Sequence, residues 1–368
     1  MTPRRAALAA GALALVMVVA AVVALTAGRT STQARALVGV RAQGLAAAAD
    51  APPLPALDAA AWLQSPPLTP ASLRGKVVWV DFWDASCVNC RRTFPFLRKL
   101  ADTYRAAGLV VVGVHTPEFG FEKPAAYVER SAHELGVTWP VAVDPERTVW
   151  NAFGNSYWPA QYLVDRAGRV RLAHAGEGDE DALEADVRTL LDEGGSAGAA
   201  SVGAVPRTEL PGSGGVVQTP ERYVGADRGA GTLPAGVVRP GASVERADPD
   251  PPAGGVALRG RFLGSAEAVE AQPGASVLLS FTARDVYAVL APAGPPAEVA
   301  VLLDGRPVPP GRRGPDLRVT PTGETVLAVG TEDLHHLLTA PAGDDPAGVL
   351  TLTARQAAVR VFTFTFGA

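Results

Sequence analysis

The sequence predicts an α/β domain followed by an all-β domain, a sandwich of jelly-roll type, behind a single apolar N-terminal segment. Three observations carry that reading. Between residues 76 and 193, short valine-rich runs alternate with segments of helical periodicity. From Val256 the pattern changes to short, evenly spaced runs separated by Gly and Pro, among them VALRGRFLG, ASVLLSFTA, DVYAVLAP and EVAVLLDG. Residues 6–28 carry no charge and follow Arg4 and Arg5.

The apolar segment sets the compartment. At ~1.5 Å per residue it is long enough to cross a hydrocarbon core of ~30 Å. A cleaved signal has an apolar region of only ~7–15 residues. Thr26-Ala27-Gly28 would serve as a cleavage site, but the run is long for that, so residues 1–29 are expected to be an uncleaved anchor. Arg4 and Arg5 then place the remainder outside the cytoplasm. No cysteine lies near the segment, which excludes a lipid-modified one. Composition is that of a globular protein, with 48% hydrophobic residues, and a net charge of −4 without a basic stripe gives no support for a nucleic-acid partner.

After a linker at 30–55, the α/β domain is expected over 56–193. KVVWVDFW (76–83) reads as a buried strand and RRTFPFLRKLADTYRAAG (91–108) as a helix, with Phe94, Leu97, Ala101 and Tyr104 on one face and Gly108 closing it. LVVVGVHT (109–116) and PVAVDP (140–145) are further strands. AQYLVDRAGRVRLAHAG (160–176) is a hairpin that turns at 165–168, and residues 180–193 form a last helix.

Glycine, proline and alanine punctuate 194–255, which reads as linker with a patterned island, TPERYVG, at 219–225. The firm linker is 194–215, and 216–368 is the β-sandwich. Residues 50–195 are therefore expected to fold alone. Near the C-terminus Phe362, Phe364 and Phe366 alternate onto one face, with Val359 and Val361 on the other.

The chain has two cysteines, Cys87 and Cys90, in VDFWDASCVNCRRTFPF. A disulfide between near neighbours is a poor staple, because stabilisation grows with the loop it closes. Structural zinc takes four ligands, and the five histidines are scattered, so no metal site is expected. Redox chemistry is the remaining use of C-x-x-C. The pair sits where a strand hands over to a helix, and a helix N-terminus favours a thiolate. Cys87 is then the attacking sulfur, and Cys90, one turn deeper, resolves the mixed disulfide. Asp81 interrupts an otherwise apolar run. A carboxyl buried there, with its pKa raised by desolvation, can accept the proton of Cys90.

These residues resemble the thioredoxin family position by position. Asp81 stands six residues before Cys87, Trp83 occupies the place of the tryptophan before the active site, Pro95 that of the helix proline, and Trp158-Pro159 that of the cis-proline facing the disulfide. With GVHTPEF (113–119), FEK (121–123) and FGNSYWPAQYLVD (153–165), the chain resembles the exported TlpA/ResA-type redoxins, and among them the thioredoxin domain of the DipZ cytochrome c biogenesis family. Val88-Asn89 departs from the Gly-Pro of thioredoxin, and a DipZ chain is expected to carry its own multi-span electron conduit, where a single span is expected here.

The resemblance implies a thioredoxin fold, a redox-active Cys87–Cys90 disulfide with no other cofactor, and Glu118 as a second carboxylate near the thiols. It also implies a substrate groove flanked by Trp83, Trp158 and Pro159. The implied partners are exported disulfide-containing proteins and a membrane electron donor of the CcdA/DsbD type. It likens the C-terminal domain to a carbohydrate-binding module. All six tryptophans lie in the first domain, and the second has only Tyr223 and Tyr287 to offer a sugar, so a docking role is favoured while a glycan ligand stays open. His115 reads as a packed core residue, and His335 and His336 as neighbours facing opposite sides of a strand.

Three functions follow. The first is an exported thiol–disulfide oxidoreductase that reduces disulfides in other exported proteins. The second is a copper metallochaperone of the same fold, which the two-residue spacing disfavours. The third is a cell-surface binding protein with an accessory redoxin domain.

Overall fold

The structure is a computed structural model that describes residues 44–193, 205, 218–341, 343 and 346–367. The expected anchor lies outside the described residues. Among them no helix is long and apolar enough to cross a membrane.

The first sheet is built from β1 (Ala61–Leu63), β2 (Val77–Trp83), β3 (Leu109–His115), β4 (Val141–Val143), β5 (Ala160–Val164) and β6 (Val170–Ala175), in the order β1-β4-β3-β2-β5-β6. β2 is central and buried at all seven positions, VVWVDFW. It runs parallel to β3 and antiparallel to β5. Its side chains alternate between faces. Val78, Val80 and Phe82 join one core with Val112, Val114, Phe153, Tyr162 and Val164. Trp79, Asp81 and Trp83 point to the other face, where Phe96 and Phe94 of helix α1 (Val88–Tyr104) meet the two indoles edge-on. The remaining helices are α2 (Ala125–Glu134), α3 (Thr148–Ala152) and α4 (Glu180–Asp192). The hairpin turns where the sequence places it, with Gly168 N–H donating to the Asp165 carbonyl.

β1, α2 and α3 are not foreseen in the sequence. β1 has three residues and α3 five, too short for a period to show. The helix predicted from Arg91 begins at Val88, since the cysteine motif forms its first turn.

The described residues divide into two compact units. The first takes those up to Asp84, Thr93–Pro117 and those from Glu122 through 193; the second takes Ala85–Arg92, Glu118–Phe121 and the described residues from 218 on. The second unit holds β7 (Arg222–Tyr223), β8 (Ser243–Ala247), β9 (Val256–Gly264), β10 (Val269–Ala271), β11 (Ser276–Thr282), β12 (Asp285–Pro292), β13 (Ala297–Leu303), β14 (Arg306–Pro307), β15 (Leu317–Val319), β16 (Thr325–Val329), β17 (Asp333–Leu338), β18 (Ala347–Ala354) and β19 (Val359–Gly367). They form one continuous sheet along the path β15-β16-β13-β18-β11-β9-β10-β19-β12-β17, with β14 on β13, β7 on β19 and β8 on β9. A single core draws on strands from both ends of that path, Leu317 and Leu337 included, so the sheet curls around it.

Two expectations change here. The stretch before Val256 is not all linker: β7 falls in the TPERYVG island, β8 lies beyond it, and Leu233 and Val238 join the core. The alternation of β19 also breaks. Its register against β12 shifts between Val289 and Leu290, which skips Phe362. The bulge reverses parity. Val359 and Val361 therefore share the main core with Phe364 and Phe366, while Phe362 packs in a separate cluster.

Candidate active site

β2 ends at Trp83, and the chain enters α1 through Asp84-Ala85-Ser86-Cys87. The Arg91 N–H donates to the Cys87 carbonyl at 3.1 Å, closing the first helical turn on Cys87 as its cap residue. The Cys90 N–H points at Cys87 Sγ, 3.2 Å away, as a serine or aspartate cap would be held. Sulfur at this place is a charge acceptor at the positive end of a helix. Cys87 is half-buried and Cys90 fully buried, which is the order that attack followed by resolution requires.

Asp81 is enclosed in the first unit. Burial pushes its carboxyl up to about 7; the Gln161 amide and the Trp79 indole, whose N–H makes no full hydrogen bond, recover only part of that. Gln161 Nε2 lies 3.5 Å from Oδ1, and Oδ2 has no hydrogen-bond partner. Asp81 lines a narrow crevice with Gln161, Glu177, Glu180, Thr93 and Leu97. Thr93 and Leu97 follow Cys90 by three and seven residues along α1.

Pro159 is buried behind a cis Trp158–Pro159 bond. Trp158 is half-buried, packs on Trp150 at 4.3 Å between centroids, and donates from Nε1 to the Thr116 carbonyl at 3.0 Å. Arg147 covers both rings and donates to the Pro117 carbonyl. Asp144 fixes the same region, accepting from the N–H groups of Val149 and Trp150 and from the Thr116 hydroxyl.

Three expected residues stand differently. Trp83 is 0% exposed, wedged between Phe94 and His115, and so packs the core rather than flanking a groove. Glu118, in the second unit, accepts from the Tyr223 hydroxyl and from Arg228, each at 2.6 Å. The third is Tyr223, one of the two tyrosines left for a sugar: it is half-buried, with its hydroxyl bound to Glu118 and Glu221. His115 is a packed histidine, as expected, and burial lowers it to about 4. His336 contacts Asp285 and stacks on Tyr287. Sequence reasoning missed Gln161, His174 and Asp144. The signal for Gln161 was present, a lone amide inside the apolar run AQYLV.

Residues 52–191 match the Redoxin family, and residues 219–367 match the family described as Thioredoxin like C-terminal domain. The chain is 34% identical over 319 residues to the protein DipZ of Mycobacterium bovis, which covers 83% of this chain and 41% of that protein. It thus spans about two fifths of the length of that relative. It is 31% identical over 133 residues to the thiol–disulfide oxidoreductase YkuV of Bacillus subtilis, 36% of this chain and 89% of that one. The thiol–disulfide oxidoreductase ResA of Geobacillus thermodenitrificans is 32% identical over 103 residues, 28% of this chain and 56% of its own length. With a helix-capping Cys87, a buried Cys90 and a relative matched over nearly its whole length, the chain belongs to the thioredoxin-like thiol–disulfide oxidoreductases.

Proposed function

We propose that this chain reduces disulfides in other exported proteins, apocytochromes among them, from a membrane anchor formed by residues 6–28. The observation that carries the reading is the pair at the start of α1, with Cys87 Sγ facing the Cys90 N–H and Cys90 buried behind it. The Cys87 thiolate attacks one sulfur of a substrate disulfide; the S–S bond breaks and the other sulfur leaves as a thiolate. Cys90 then attacks Cys87 Sγ, releases the second substrate thiol and closes the Cys87–Cys90 disulfide. Two electrons have passed to the substrate. A membrane dithiol donor of the CcdA/DsbD type returns them, and no bound cofactor is needed.

Asp81 takes the proton that Cys90 gives up. Its carboxyl titrates near neutrality, where a base for a thiol is effective. Trp158 and Pro159 offer backbone to an extended substrate segment. Glu118 acts on the Glu118–Phe121 loop through its ion pair with Arg228. The β domain serves in docking, with a glycan as its alternative ligand.

The test is a trapping experiment. Cys90→Ala should accumulate a mixed disulfide through Cys87, visible on a non-reducing gel, and Cys87→Ala should trap nothing. Equal trapping by both variants would sink the assignment. The anchor is checked separately: the full chain should sediment with membranes, and a mature N-terminus near Gly28 would replace the anchor with a cleaved signal.

A further inference from the structure

Asp81, Gln161 and His174 form one row across three strands. The register pairs Asp81 with Gln161 between β2 and β5, and Gln161 with His174 between β5 and β6. Side-chain contacts follow the row. Gln161 Nε2 stands 3.5 Å from Asp81 Oδ1, at the long end of hydrogen bonding, and Gln161 Oε1 stands 2.8 Å from His174 Nδ1. His174 Nε2 is 3.3 Å from Asp179 Oδ2. The row begins at a carboxyl that is 1% exposed and ends at one that is 76% exposed.

A primary amide donates at one end and accepts at the other, and a half-turn about its last torsion exchanges the two. Two arrangements satisfy the whole row. In the first, Asp81 is a carboxylate and accepts from the amide NH2. The amide carbonyl then accepts from an Nδ1–H of His174, while Nε2–H donates to Asp179. In the second, Asp81 is a carboxylic acid whose O–H donates to the amide carbonyl. The turned NH2 donates to a bare Nδ1, and Nε2–H still serves Asp179. Any mixture sets acceptor against acceptor or donor against donor, and a proton placed on Asp81 Oδ2 instead finds no acceptor there.

We infer that Gln161 couples two protonation events, so that when Asp81 gains a proton, His174 loses the one on Nδ1. This rests on the reading of Asp81 as the group that receives the Cys90 proton. The bookkeeping is then complete. The S–H bond of Cys90 breaks as an O–H bond forms on Asp81, and the Nδ1–H bond of His174 breaks with its proton passing to water. The net charge of the row stays constant, which removes the penalty of changing charge in a buried place. His174 and Gln161 are positioning residues in this scheme, since neither touches a sulfur. The other titratable groups around the row are carboxyls, apart from Lys99 and the phenols Tyr157 and Tyr162. Glu177 and Glu180 line the crevice with Asp81, Asp179 and Asp186 line the cleft that contains His174, and Lys99 acts on Glu180.

The experiment is a pH titration of the full chain, with 15N-labelled histidine and 13C-labelled aspartate followed by NMR. His174→Gln and Asp81→Asn assign the two signals. In the wild type, the row should take up its two protons in separate steps, with the Asp81 carboxyl and the His174 Nδ1 signals each responding in both, because a proton on one group disfavours a proton on the other. In Asp81→Asn and in Gln161→Leu, the Nδ1 midpoint should move by about 0.5 pH unit or more, a threefold change in proton affinity. An Nδ1 midpoint unchanged in both variants overturns the coupling. Mixed-disulfide resolution is measured on the same Asp81→Asn protein. Resolution at the wild-type rate removes the Cys90 role of Asp81, while the ring titration alone decides the coupling.

Discussion

Asp81 and His115 are both polar groups held in the interior, and they pull the pH dependence of stability in opposite directions. Burial raises the Asp81 carboxyl to about 7, against an ordinary value near 3.9. The folded state therefore holds a proton that the unfolded chain releases, and stability is lost as pH rises from about 4 to about 7. The loss is at most roughly 4 kcal/mol. Burial lowers His115 from 6.5 to about 4, so the unfolded chain takes up a proton that the folded state refuses, and stability is lost as pH falls through that window. The two slopes offset each other between pH 4 and 6.5. Asp81→Asn should remove one of them. Its urea midpoint should exceed the wild type at pH 8, approach it near pH 4, and rise steadily from pH 4 to 6.5. A midpoint at pH 8 equal to wild type would show that Asp81 is not desolvated as the fold requires. The same substitution should slow release of trapped substrate below the pH at which Cys90 ionises unaided.

Among the elements, β3 and α3 hold the site's surroundings in place. Gly113 of β3 faces two indoles, and a Cβ there would stand 2.9 Å from Nε1 of both Trp83 and Trp139. Gly113→Ala must push Trp83 against Phe94 on α1, at a cost of about 1–3 kcal/mol. The expected result is a lower denaturation midpoint together with altered tryptophan fluorescence. Asp144 caps α3 through two backbone N–H groups and holds Thr116, whose carbonyl in turn holds Trp158. Asp144→Ala should cost about 1–2 kcal/mol by urea denaturation. It should also raise the substrate concentration needed for half-maximal reduction, because Trp158 loses its fixed neighbour.

In the molecule as a whole, the start of α1 belongs with the second unit. Val88 and Phe119 are buried in one cluster with Ala268, Val289, Ala291, Leu334 and Phe362, and Arg91 pairs with Asp333 at 2.5 Å. A chain cut after residue 193 keeps the complete core around Phe82, Phe153 and Tyr162, so it should fold. Val88 and Phe119 would then be exposed to water, at about 1.5–3 kcal/mol for each large apolar side chain. The fragment should show a lower thermal midpoint than the same region of the full chain and bind more of a hydrophobic dye. Equal midpoints would mean that the cluster contributes nothing to the stability of the helix start.

The sequence by itself determined the order of the elements around the cysteines, the burial of Asp81 and the N-terminal placement of Cys87. Each of these follows from local pattern: an apolar run with one carboxylate in it, and a C-x-x-C motif where a strand gives way to a helix. Only the tertiary structure decided what lies across the strands. Gln161 and His174 are 80 and 93 residues from Asp81, and only sheet register sets them in one row with it. Glu118 shows the same limit from the other side. Its partners Tyr223 and Arg228 are more than a hundred residues away, and no spacing rule points to them. Periodicity reports which face a residue takes along its own strand or helix. A bulge such as the one at Phe362 reverses that face, and a long-range partner is set by packing, so neither is written in the local pattern.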